Sequence, residues 1–283
     1  MTRLPLWIKK RAPRAQIVEQ MTSLLRSFSL HTVCEEAHCP NIGECFSWKT
    51  ATFMILGNRC TRNCRFCAVE HKTPLSPDPE EPENVARAVK ILGLKYVVIT
   101  SVTRDDLKDG GASQFAQTTE KIRKINGRNI KIEILIPDFQ GSLSSLKTAI
   151  QAEPTVLNHN LETVPRLYSE VRPGANYLRS IELLKRVKEI APYLYTKSGL
   201  MVGLGETFSE LIEVMEDLRR ADCNILTLGQ YLRPSSSHLP VKQFIPPEKF
   251  SEYKKIGSQL GFSFVASGPF VRSSYRASEA LPT

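Results

Sequence analysis

Along most of the chain, short runs of β-branched and aliphatic residues alternate with stretches in which apolar residues return every three to four positions. The runs fall at 52–56, 96–100, 131–136, 155–158, 196–202 and 225–229, each with the length and composition of a buried strand. Between them, Val85, Ala88, Val89 and Leu92 recur at i, i+3, i+4 and i+7, and Leu211, Met215 and Leu218 trace a second such stripe. Thr207 followed three residues later by Glu210 has the form of a capping box for that second helix. A further helix is expected near 247–260 and a strand at 262–266. Strands that alternate with helices pair in parallel through right-handed crossovers. Six such units are too few to close an eight-stranded barrel, so the pattern predicts an α/β fold, a partial (β/α)6 TIM-type barrel over residues 51–266.

The two ends read differently. Residues 1–50 carry three cysteines and no sustained periodicity, as expected of an N-terminal extension that a bound cluster would order. Residues 267–283 form a short polar C-terminal tail, and there are no repeats, low-complexity tracts or clear linkers. In barrels of this kind the chemistry sits where strands end and loops begin. The expected mouths are polar: Asn58, Arg59 and Cys60; Arg104, Asp105 and Asp106; Asn158, His159 and Asn160; Gly203 to Glu206; and Gln230 with Tyr231.

Composition narrows the setting. With 41% hydrophobic and 24% charged residues the chain is ordinarily globular, and no run approaches the roughly 18 to 20 apolar residues of a membrane helix. The first thirty residues lack a signal-peptide core, and although Lys9, Lys10 and Arg11 are weakly transit-like, a cytoplasmic enzyme is the simpler reading. In that reducing compartment seven cysteines, six of them clustered, point to metal or catalysis and away from disulfides. The 38 Lys and Arg against 29 Asp and Glu give a net charge of +9, which favours an anionic partner, although residues such as Lys185, Arg186 and Lys188 lie at the spacing of a solvated helix face.

The chemistry lies in two cysteine triads. Cys60, Cys64 and Cys67 form a C-x3-C-x2-C loop directly after the first barrel strand. Three thiolates can hold three irons of a 4Fe-4S cluster, leaving the fourth iron to a small molecule that chelates through an amine and a carboxylate. A reduced cluster in that arrangement can pass one electron to S-adenosylmethionine. A zinc knuckle competes, but zinc normally takes four ligands, usually in two separated pairs. Cys34, Cys39 and Cys45 form the second triad, which needs a fourth ligand; a zinc site completed by His31 or His38 is an alternative. Cys223, between a helix and the sixth strand, reads as a small buried hydrophobe.

The first triad, its place after strand one and the partial barrel resemble the radical S-adenosylmethionine superfamily. Nearly the whole chain is similar to its lipoyl synthase family, through the stretches Pro40 to Cys45, Cys60 to Cys67, Val97 to Leu107, Asn158 to Val164, Lys197 to Glu206 and the motif Arg272-Ser273-Ser274-Tyr275. Asn58 departs from the residue the family often has before the radical triad. The resemblance implies two 4Fe-4S clusters and S-adenosylmethionine: Cys60, Cys64 and Cys67 hold the radical cluster, and Cys34, Cys39 and Cys45 hold an auxiliary cluster closed by Ser273. It further implies insertion of two sulfur atoms at carbons 6 and 8 of an octanoyl group. The substrates it implies are lipoyl domains of 2-oxo acid dehydrogenase complexes and the glycine cleavage H protein. An electron donor such as flavodoxin or ferredoxin and an iron-sulfur carrier for cluster repair complete the implied partners; no membrane and no nucleic acid are expected.

Asn158, Asn160, Glu162 and Gly203 occupy the mouths where the superfamily contacts its cofactor. Their local reading is a hydrogen-bonded turn and a tight Gly-x-Gly bend, as Arg104, Asp105 and Asp106 could be a surface ion-pair network. Apart from the resemblance, Ser273 and Ser274 would read as a polar tail bonding locally. Radical thiolation of transfer RNA also suits the +9 charge, but such enzymes usually append an RNA-binding domain. An electron carrier would leave the polar strand mouths without a purpose.

Overall fold

The computed structural model describes residues 4–10 and 15–281. Arg11 of the basic cluster and the last two residues of the expected tail lie outside them. In chain order the elements are α1 (Ala15–Ser27), β1 (His31–Thr32), α2 (Val33–Glu36), α3 (Ile42–Ser47), β2 (Thr52–Ile55), β3 (Arg59–Cys60), β4 (Glu70–His71), α4 (Glu81–Leu92), β5 (Tyr96–Ser101) and α5 (Ala112–Asn126). There follow β6 (Lys131–Leu135), α6 (Leu143–Gln151), β7 (Val156–Asn158), α7 (Tyr168–Val171), α8 (Tyr177–Ile190), β8 (Tyr195–Val202), α9 (Phe208–Arg220), β9 (Ile225–Gln230), α10 (Pro247–Gln259) and β10 (Phe264–Gly268).

One sheet runs β1-β2-β5-β6-β7-β8-β9-β10, antiparallel at β1 and parallel everywhere else, with no pairing among the described residues that closes β10 onto the first strands. This is the partial barrel that the alternation of strands and helices predicts. Every residue of β2 and of β9 is buried, as parallel strands covered by helices require. The stripe of α4 buries Val85, Ala88 and Val89, that of α9 buries Leu211, Val214, Met215 and Leu218, and the Thr207 and Glu210 capping box is formed. Cys223 is fully buried in the core. No helix among the described residues is long and apolar enough to cross a membrane.

Two expectations are corrected. The extension is not irregular: α1 buries Met21 and Leu25 and packs Ile17, Val18 and Leu24 against the main core, joined by Phe28 just past its end, while β1 adds an antiparallel edge to β2. Those apolar positions do recur at helical spacing, a signal carried by the sequence but too short to stand out. The last strand begins at Phe264, two residues later than expected, because its register with β9 pairs Phe264 with Ile225. Phe262 is instead buried ahead of the strand, with the Arg219 guanidinium 5.4 Å from its ring centre.

Candidate active site

The C-terminal ends of the parallel strands open onto a cavity of about 490 Å³ whose wall includes Cys34, Cys39, Cys45, Cys60, Cys64, Cys67, Ser273 and Ser274. All six cysteines are free. Three segments separate in sequence thus face one space.

The first triad is carried on a turn that leaves β2 at Leu56 with φ 68° and at Gly57 with φ 81°. The buried Glu81 carboxylate accepts from the Leu56 amide at 2.8 Å, and Arg104 donates to the Leu56 carbonyl at 3.4 Å, so this residue in the unfavourable left-handed region is held on both sides. Beyond it, Thr61 donates to the Thr103 carbonyl through both its amide (3.0 Å) and its hydroxyl (2.9 Å). Arg62 forks onto Asp105 at 2.7 and 2.9 Å and reaches Asp138 at 2.6 Å, while Arg179 approaches the other oxygen of Asp138 at 3.2 Å. Burial alone would raise the Asp138 carboxyl, yet the Arg62 guanidinium overrides it and holds the group down to about 2. Arg104 is 2% exposed and grips Asp106 at 2.8 and 2.9 Å. The Arg104 to Asp106 stretch is therefore the anchor of the triad loop. The Thr103 amide also donates to Cys60 Sγ at 3.3 Å.

In the second triad Cys34 lies on α2, Cys45 on α3 and Cys39 in the loop between them, and the segment is held from both ends of the chain. Asn41 donates to the Phe270 carbonyl at 2.8 Å, and the Tyr275 hydroxyl donates to Glu44 at 2.7 Å. Lys10 ties Asn41 and Glu44 together at 2.5 Å each, and its ammonium lies 5.1 Å from the Phe270 ring centre. His38 lines the cavity, whereas His31 does not and sits 3.1 Å from Glu36.

Glycines in β8 and β9 admit the tail. A Cβ on Gly229 would overlap the Val271 carbonyl oxygen, and one on Gly199 would stand 2.8 Å from Asn160 Oδ1 and 3.0 Å from Ser273 Oγ. Seated there, Ser273 donates to Asn160 Oδ1 at 2.6 Å and accepts from Asn158 Nδ2 at 3.2 Å.

Of the four expected cofactor contacts, Asn160 and Glu162 line the cavity; Asn158 and Gly203 do not. Asn158 is fully buried beneath it, bonded to Glu133 at 2.9 Å. The Gly203 amide is turned to the Glu206 carboxylate at 2.5 Å, and a Cβ on Gly203 would overlap Gln230 and the Gln243 carbonyl. Arg172 was not singled out in the sequence, yet it lines the cavity and donates to the carbonyls of Asn160 and Leu161 at 2.8 and 2.9 Å. Its Nε is buried with no partner among the described residues. Burial raises the Glu162 carboxyl above the ordinary range, and Arg172 pulls it partly back.

Burial pushes the Cys34 and Cys67 thiols up to about 12 and the Cys45 thiol up to about 11. Such thiols keep their protons unless a cation compensates the thiolate. Among the described residues no three His, Cys, Asp or Glu side chains are grouped as ligands of a single ion would be. The donor set is soft sulfur spread around a cavity, which suits a polynuclear iron-sulfur group better than one hard cation.

Comparison with known proteins agrees. Residues 54–218 match the model of the radical SAM superfamily, and residues 1–39 match that of the N-terminal domain of lipoyl synthase of the radical SAM family. The chain is 56% identical over 279 residues to a lipoyl synthase of Caldanaerobacter subterraneus subsp. tengcongensis, covering 99% of this chain and 97% of that protein. It is 57% identical to one of Alkaliphilus metalliredigens, covering 99% and 96%. Among solved structures, Streptococcus suis SuiB bound to precursor peptide SuiA superposes with TM-score 0.60 at 15% identity, over 81% of this chain and 52% of that one. Methylornithine synthase superposes with TM-score 0.56 at 15% identity, over 78% and 72%. At such identities the structures speak for the barrel alone, whereas the near-full-length sequence relatives decide the family. With both its barrel and its N-terminal segment matched, the chain belongs to the lipoyl synthase family of the radical SAM superfamily.

Proposed function

We propose that Cys60, Cys64 and Cys67 hold a 4Fe-4S cluster with one iron left for S-adenosylmethionine, and that Cys34, Cys39, Cys45 and Ser273 hold a second 4Fe-4S cluster. The observation that carries this reading is the convergence of both triads and Ser273 on one cavity at the strand ends. As in its family, the chain is a sulfurtransferase; the proposed reaction inserts two sulfur atoms at carbons 6 and 8 of an octanoyl chain on a carrier lysine. When bound, the first cluster supplies the electron that cleaves S-adenosylmethionine to a 5′-deoxyadenosyl radical, which can take hydrogen from an alkane carbon that no side-chain base can deprotonate. The second cluster is a substrate, the source of the inserted sulfur.

The chain's own residues hold the parts in place. Thr61, Arg62 and Asp138 fix the first loop against the barrel. Asn160, Glu162 and Arg172 present amide, carboxylate and guanidinium groups to the cavity, chemistry suited to the hydroxyls, amine and carboxylate of S-adenosylmethionine. Asn158 and Gly203, expected to share that role, stand behind the cavity wall and support it from there. Ser273 offers a harder donor than thiolate, hence a weaker hold on iron, as suits a cluster that is dismantled.

The proposed substrates are octanoylated lipoyl domains of 2-oxo acid dehydrogenase complexes and the glycine cleavage H protein. A flavodoxin or ferredoxin would serve as reductant and an iron-sulfur carrier would rebuild the spent cluster, all in the cytoplasm. The charge of +9 suits an acidic carrier, whose binding should weaken steeply with added salt. Relatives at 56% and 57% identity favour this reading over thiolation of transfer RNA.

The test is iron and sulfide analysis of the wild type against a variant carrying Cys34→Ala, Cys39→Ala and Cys45→Ala. Loss of about half the iron, with 5′-deoxyadenosine still formed and no sulfur transferred, is expected. Unchanged iron or continued sulfur transfer would overturn the division of roles.

A further inference from the structure

One ionic group inside the barrel has no part in the chemistry above. Lys197 on β8 and Glu133 on β6 are 1% and 0% exposed, with Lys197 Nζ 2.9 and 3.0 Å from the two carboxylate oxygens. Tyr96 donates to Glu133 Oε2 at 2.6 Å. Withdrawing two charges from water is costly, and an apolar pair of similar volume often packs with equal or greater stability, so stability gives no reason for this pair. Its other polar neighbour does. Asn158 Nδ2 donates to Glu133 Oε1 at 2.9 Å and, with the same amide, to Ser273 Oγ at 3.2 Å.

A carboxylate held by an ammonium is an acceptor only, so it admits the NH2 edge of Asn158 and repels the carbonyl edge. Glu133 thereby sets which way round the amide stands. The arrangement leaves Asn158 Oδ1 buried without a partner among the described residues, an unfavourable state that the opposite orientation could not exchange for a better one while Glu133 is there. The second Nδ2 hydrogen then points at Ser273, whose own proton goes to Asn160 Oδ1 at 2.6 Å; Asn160 Nδ2 is in turn held by Glu162 at 3.0 Å. Both directions at the Ser273 oxygen are thus set from the end of β7, and Gly199 leaves room for it.

We infer that Asn158, oriented by the buried Glu133 and Lys197 pair, is a positioning residue that sets the Ser273 hydroxyl for the second triad, so that the barrel interior governs how that site is closed. This rests on the reading of Ser273 as the residue that completes the second site, and the experiment separates the two.

The full chain carrying Cys60→Ala, Cys64→Ala and Cys67→Ala is reconstituted anaerobically, so that iron resides on the second triad alone, and the rate of iron loss to an added chelator is followed. Into this background go Ser273→Ala, Asn158→Leu and both together. Asn158→Leu should speed iron loss between about ten- and a hundredfold, as removal of a ligand-orienting partner does; Ser273→Ala, which removes the ligand, should speed it at least as much, and the combination should be no faster than Ser273→Ala alone. Two further variants lack the ion pair. Glu133→Gln with Lys197→Met keeps an acceptor for Asn158 and should retain slow loss, whereas Glu133→Leu with Lys197→Met should behave like Asn158→Leu. General loosening of the barrel would make these two alike. If Ser273→Ala speeds the loss but Asn158→Leu does not, or the two paired variants lose iron equally, the inference fails and Ser273 keeps its role. If Ser273→Ala leaves the rate unchanged, both fall.

Discussion

The two cysteine triads differ in what holds them. The loop from Cys60 to Cys67 leaves β2 and is bound to neighbouring strand ends by charged, largely buried groups: Arg62 is 8% and Asp138 1% exposed. The segment from Cys34 to Cys45 depends on a tail that arrives 231 residues later in sequence and grips Glu44 through Tyr275. Its ion pair is more open to solvent, with Lys10 and Glu44 28% and 29% exposed. A site built on the rigid barrel keeps its shape whatever the tail does. A site shared between two chain ends can open when one end moves, and that suits a cluster proposed to be dismantled.

The comparison can be broken at four points. The largest effect is expected from Asp138→Asn. Removing one member of a buried ion pair costs about 3–5 kcal/mol, and because Arg62 keeps Asp105 the lower end applies. Denaturant unfolding measures it, and iron should be lost from the first triad while the second keeps its share; the reverse pattern would contradict the contrast.

The second point is pH. Burial, helped by the positive Arg172, lowers the pKa of His159 from 6.5 to about 4. The neutral ring sits between the Ile136 carbonyl and Ser180, each 2.9 Å away. Because the unfolded chain binds the proton more readily, His159 contributes stability that is complete above pH 6.5 and lost as pH falls toward 4. The full span is worth up to about 3 kcal/mol. Melting temperatures of wild type and His159→Gln between those limits should converge as pH falls, and parallel curves would refute it.

Gly229→Ala tests the tail's seat. The new methyl overlaps the Val271 carbonyl, and such overpacking costs about 1–3 kcal/mol unless the tail lifts away. Iron on the second triad should fall while the first remains loaded, with hydrogen exchange faster over 267–281. The smallest effect belongs to Glu44→Gln, since solvent-accessible ion pairs are worth below about 1 kcal/mol. Hydrogen exchange in the tail should rise a few fold with little change in melting temperature. A large drop in melting temperature would mean that the second region is as rigid as the first.

The alternating pattern, the two triads with their spacing, the capping box at Thr207 and the burial of Cys223 were all legible in the sequence, because each depends on residues within one element or on its periodicity. So was the family, through motifs spread along the chain. The helix α1 was legible in principle, as Ile17, Met21, Leu24 and Leu25 recur at helical spacing, but its stripe becomes persuasive only once the core it packs on is known. A charge in the middle of an apolar strand, as at Glu133 and Lys197, was a visible irregularity whose meaning was not.

Tertiary structure alone decided which charges meet and where the tail sits. Glu133 and Lys197 are 64 residues apart, and Ser273 and Asn158 are 115 apart. Such pairs are created by strand order and register, which bring side chains together across the sheet without leaving a local pattern. The same holds for Gly199 and Gly229, whose lack of a side chain has meaning only against the residues that approach them. Periodicity records what each segment must bury, and the strand order and register of the sheet determine what it buries it against.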